Sequence, residues 1–243
     1  RVRRRLVRRL AHVRLDAYGA ATLAVRQALA CVLADEDPRT TRLAAALTDH
    51  GRVIHIGDLL LSSTTLLAEL ALRGRTEELL TWHRRITDQT RLNSPGQGDN
   101  PFRHLAAAAH AASGERLETV RHLLGLTEAS AREPAGSLLH LRLLSARLHT
   151  LLEQGEVGPD LEDVAAELLA LFPDPERIPP AHRDCWVWYT HTRLLHCALG
   201  SADQRPTRLR DAEQAVEVLG SLARTRLLRA HHHVAMARLS LLR

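Results

Sequence analysis

The stretch Asp160-Leu161-Glu162-Asp163-Val164-Ala165-Ala166-Glu167-Leu168-Leu169-Ala170-Leu171-Phe172-Pro173 decides the fold class. Leu161, Val164, Ala165, Leu168, Leu169 and Phe172 recur at helical spacing and form one apolar stripe. Glu162, Asp163 and Glu167 fall outside it. Asp160 is the expected N-cap, acids in the first turn suit the helix dipole, and Pro173 stops the helix.

The same period recurs elsewhere. Leu209, Ala212, Val216, Leu219 and Ala223 make a second stripe, and Leu228, His231, Ala235, Leu239 and Leu242 a third. Leu138, Leu141, Ser145, Leu148 and Leu152 make a fourth. Leu59 to Leu72, interrupted by Ser62-Ser63-Thr64-Thr65, reads as a buried central helix. The nearest approach to a β-branched strand is Val53-Ile54-His55-Ile56, which is short and isolated. The fold class is therefore all-α, with roughly eleven or twelve helices predicted.

Breaks set the organisation. Asp35-Glu36-Asp37-Pro38, Gly51, Gly74, Gly114, Gly155 to Pro159, Pro173 to Pro180 and Gly200 to Pro206 punctuate the helices. Asn93 to Pro101 is the clearest loop. It divides a helical region over 1–92 from a second one over 102–243. In the second region, helices predicted near Phe102, Ser137 and His182 are each followed by another, near Glu115, Leu161 and Thr207. A last one starts near Thr225. Pair starts about 35 to 45 residues apart fall in the range of helical repeat arrays.

Phe102-Arg-His-Leu-Ala-Ala-Ala-Ala-His-Ala-Ala-Ser-Gly114-Glu115-Arg-Leu-Glu-Thr-Val120 resembles the tetratricopeptide repeat, with small residues toward the partner helix and Gly114 at the turn. Ala165 at mid-helix with Pro173 closing the unit, and Ala198-Leu199-Gly200 ending another first helix, are similar to that repeat. The resemblance covers residues 100–243, without the full signature or the 34-residue period in any unit. It implies an array of antiparallel helix pairs, a TPR-like α-solenoid. Divergent arrays of this kind resemble the sensor or scaffold segment of actinobacterial STAND-, LuxR- or SARP-type regulators.

Composition narrows the function classes. Hydrophobic residues are 45% of the 243, enough for a sizeable core, and aromatics only 3%. All 33 basic residues are Arg, which points to a GC-rich genome of actinobacterial type and weakens the basic balance as a sign of nucleic acid. Three widely spaced cysteines predict a reducing cytoplasm rather than a disulfide framework. No run of 18 apolar residues predicts a membrane span. The chain opens on Arg1 and closes in a helical pattern without a stop, so it reads as a segment of a larger protein.

Catalytic motifs are missing. Walker A chemistry needs a Lys that this chain lacks, and there is no nucleophile elbow. His182, Cys185 and His196 fall on roughly one helix face with His191 nearby. His196 is too distant for a zinc set, so neither a metal nor another cofactor is predicted. An all-α enzyme using His182, His191 and His196 is one alternative. Another is nucleic-acid binding through Arg3, Arg4, Arg5, Arg8 and Arg9 of the first basic helix, which carries no base-reading side chains. His231 is expected to be partly buried and hydrogen-bonded.

The preferred reading is a non-catalytic interaction or effector-sensing module. Its ligand would be a peptide, a protein segment or a small effector held on a concave helical surface. Asp184-Cys185-Trp186-Val187-Trp188-Tyr189 gathers two of the three Trp and one of the two Tyr. Trp186, Trp188 and Tyr189 are the expected aromatic anchors, with Arg193 reading a carboxylate or phosphate. On one helix they point in different directions, so they cannot all be buried on one side.

Overall fold

The computed structural model describes residues 16–33, 39–93, 138–155, 158–174, 178 and 183–243. Among these residues all regular structure is helical, in nine helices. They are α1 (Ala17–Leu33), α2 (Arg39–His50), α3 (Ile56–Leu72), α4 (Thr76–Asn93) and α5 (Leu138–Gln154). The remainder are α6 (Pro159–Leu171), α7 (Asp184–Ala198), α8 (Arg205–Leu222) and α9 (Arg226–Leu242). The Phe102 and Glu115 helices, the loop beyond Asn93, and the basic run at Arg3, Arg4, Arg5, Arg8 and Arg9 lie outside the described residues.

The apolar stripes face inward over most of their length, though Leu169 of α6 is 41% exposed. Leu161, Val164, Ala165 and Leu168 are buried on α6, and Ala212, Val216 and Leu219 on α8. Leu228, Ala235 and Leu239 are buried on α9. The reading of α3 as a central helix also holds: Ser62 to Ala68 are buried without a break. Thr64 and Thr65 can be buried because both hydroxyls donate to the Leu61 carbonyl, at 3.0 and 2.8 Å. One expectation at a helix start fails. Pro159 opens α6 and Gly158 is its N-cap, so Asp160 sits inside the first turn.

Consecutive helices pack on one another as α1 on α2, α3 on α4, α5 on α6 and α7 on α8. Next-but-one neighbours also touch: α1 with α3, α5 with α7, and α7 with α9. Two buried clusters result. One is drawn from α1 to α4 and takes in Ala146 of α5; the other is drawn from α5 to α9 and takes in Leu72 of α3. The two groups of helices therefore meet where the end of α3 approaches α5.

The end of α3 is closed by a Schellman turn. Gly74 adopts φ +64°, its N–H donates to the Ala71 carbonyl at 2.9 Å, and the Arg75 N–H donates to Leu70 at 2.9 Å. This closure leaves the carbonyl of Leu72 to find another donor.

Candidate functional site

α7 is the axis of the second group. Every residue from Asp184 to Leu194 is buried, because α5, α8 and α9 cover it from several sides. Its polar side chains are matched internally. Asp184 accepts from Ser145 Oγ at 2.8 Å, Thr190 donates to Ala215 at 3.1 Å, and Thr192 donates to Trp188 at 2.6 Å.

The aromatic residues are thus distributed around a covered helix rather than along an open face. Trp186 is 1% exposed and meets Tyr189 edge to face, with ring centroids 5.0 Å apart. Arg193 does not await an external anion. Its guanidinium grips Glu162 of α6 through both terminal nitrogens, at 2.5 and 3.0 Å, and its Nε donates to Tyr189 at 3.3 Å. Burial disfavours its charge, but the Glu162 and Tyr189 contacts outweigh that and raise its pKa. The same contact, led by the Arg193 hydrogen bond, holds the Glu162 carboxyl below its ordinary range.

Of the four expected anchors, Trp188 is the one among the lining residues of the cleft between the two groups of helices. It stacks on His149 with centroids 3.7 Å apart and planes 7° from parallel. Together they form one wall of this cleft, of about 210 Å³, where the end of α3 and the start of α4 meet α5, α7 and α9. Ala71, Leu72, Gly74, Thr76 and Leu79 also line it. Glu153 and His231 supply the remaining polar groups.

Two hydrogen-bonded histidine systems border this cleft. His149 Nε2 lies 3.3 Å from Glu153 Oε1, one turn further along α5. That contact draws the Glu153 carboxyl below its usual pKa against the opposing effect of burial. In the second system, His231 Nε2 lies 2.9 Å from the Leu72 carbonyl that the Schellman turn left open. A carbonyl only accepts, so Nε2 of His231 carries the proton. Neutral His231 then accepts at Nδ1 from His191 Nε2, 3.3 Å away. His191 Nδ1 is left as a buried lone pair with no partner among the described residues. Burial, the neighbouring His231 and Arg238 push the His191 pKa down to about 3, and burial also lowers that of His231. The chain Leu72–His231–His191 is thereby held neutral and ties α3 to α9 and α7.

The remaining candidates are dispersed. His196 faces Glu162, with Nδ1 3.4 Å from Oε1 but not aligned as a hydrogen bond, while His191 faces His231. His182 lies outside the described residues. Among the described residues no three His, Cys, Asp or Glu side chains converge as a metal set, and no helix is long and apolar enough to cross a membrane.

No protein-family model, no curated protein and no solved structure matches this chain. The cleft stands on its own geometry. His149, Glu153 and the Leu72–Thr76 turn are absent from the sequence-based list of site residues. The i, i+4 spacing of His149 and Glu153 was the signal available for them.

Proposed function

We propose that this chain is a non-catalytic interaction or effector-sensing module of a larger regulatory protein. In this reading its antiparallel helix pairs form a TPR-like array, and the contacts between next-but-one helices support that arrangement. One observation carries the binding role: a cleft of about 210 Å³ between the two groups of helices, bordered by Trp188, His149 and Glu153. Pockets for drug-sized ligands run to about 300–1,000 Å³, so this cleft suits one inserted side chain or a small effector. Apolar walls with a few fixed polar groups give both grip and orientation. The partner in this reading is a protein segment, either from another domain of the same parent or from a separate protein. Its insertion would bridge α3–α4 and α5–α9, so occupancy would be felt by both groups.

Selection of displayed peptides against the chain tests the proposal. Each enriched peptide is measured against the protein and against Thr76→Trp, which places an indole at the partly exposed rim of the cleft. The expected result is at least a tenfold loss of affinity in the variant. Peptides that bind both proteins equally would place the interaction surface elsewhere.

A further inference from the structure

Among the described residues that line the cleft, Glu153 is the one carboxylate. Glu153 is held in its anionic form by His149, and its side chain remains 35% exposed. One carboxylate oxygen, Oε1, is taken by His149 Nε2. His149 is the carboxylate's one hydrogen-bonding partner among the described residues, which leaves its second oxygen as the acceptor for a guest.

The chemistry of a guest follows from that asymmetry. A guanidinium is satisfied best by a carboxylate offering both oxygens, as Glu162 offers both to Arg193 in this molecule. An ammonium is a compact point charge that one oxygen can hold. Leu72, Leu79 and the Trp188 ring supply apolar surface beside it. A four-carbon stem fits such a wall while its charged end reaches the carboxylate. An anionic guest would meet the Glu153 carboxylate, and His231 and His191, neutral in their own hydrogen-bond chain, offer it no positive charge. Besides His149, Arg238 of α9 also acts on Glu153 through its field from within the chain, and Arg238 is exposed.

We propose that the cleft receives an alkylammonium group, a lysine side chain of a partner segment, with the Glu153 carboxylate bound to its nitrogen and the stem lying along Leu72, Leu79 and Trp188. This rests on the reading of the cleft as the binding site. Arg238 competes with the guest for Glu153, so its removal strengthens binding.

The test uses n-butylammonium as the probe, with n-butanol, butyrate and n-butylguanidinium as comparators. Binding is followed by the indole N–H resonance of Trp188, identified by its loss in Trp188→Phe. n-Butylammonium should shift that resonance saturably, n-butylguanidinium at least threefold more weakly, and butyrate not at all. Glu153→Gln, checked for an unchanged helical circular dichroism spectrum, should weaken n-butylammonium at least tenfold. Arg238→Ala should tighten it about twofold or more. Equal binding of n-butanol, or unchanged binding in Glu153→Gln, overturns the ammonium proposal. If the selected peptides still lose affinity in Thr76→Trp but need no lysine, the cleft remains the docking site and only its charge preference falls. If the probe is inert and no peptide responds to Thr76→Trp, both readings fall.

Discussion

Replacing Glu162 with Gln strands the Arg193 guanidinium in the core. Arg193 is 6% exposed, and Glu162 is the one carboxylate in ion-pairing contact with it among the described residues. Breaking a fully buried pair costs about 3–5 kcal/mol, whereas an exposed pair contributes about 0–1. The side chain of Glu162 is 52% exposed, so water softens the loss and the expected cost is about 2 kcal/mol. For a chain of this size that is a fall in Tm of about 4–8 °C. Guanidinium chloride unfolding followed by circular dichroism measures it directly. Adding Arg193→Met to the Gln variant should recover most of the loss, because the uncompensated charge is then gone.

The pH dependence has a definite sign. The folded-state pKa of Glu162 is depressed, so its contribution is present above the unfolded value near 4.3 and is lost as pH falls through the lower folded value. The two proteins should therefore converge in acid. A Gln variant within 0.5 kcal/mol of the parent at pH 7, or a difference unchanged at pH 3, would refute the account of Arg193 as a buried charge that depends on Glu162.

Two further outcomes follow from α7. Trp186→Ala should cost about 3–5 kcal/mol and, if the cavity does not collapse, leave a partly unfolded chain in thermal melts, since Trp186 is among the largest fully buried side chains. His191→Gln should flatten the acid limb of stability. The folded His191 resists protonation until about pH 3 while the unfolded chain takes the proton near 6.5. Parent stability should thus fall by up to about 1.4 kcal/mol per pH unit across that window, and the variant's by less. Parallel pH profiles for the two proteins would contradict it.

Much of the fold was legible because helical stripes are a local signal. The stripes of α6, α8 and α9 face the core apart from Leu169, which is exposed, and His231 is partly buried and hydrogen-bonded as expected. The start of α6 was misplaced because Asp160 is a good N-cap in isolation, whereas Pro159 fixes the first helical position two residues earlier than that cap implies. The placing of the aromatics was not legible. Thr190, His191, Thr192 and Arg193 are consecutive polar residues, yet each finds an internal partner contributed by a distant element or by its own helix. Such pairings over 25 to 40 residues leave no periodic trace. The cleft was hidden for the same reason: Leu72 and His231 are 159 residues apart.

Hydrogen exchange of the full chain, with and without a selected lysine-containing segment, tests the central claim most directly. The account predicts slowed exchange confined to residues 70–80, the end of α5 and the middle of α9, the elements around the cleft. Protection confined instead to the outer face of α9, where Val234, Met236 and Leu241 are exposed, with residues 70–80 unchanged, would contradict it.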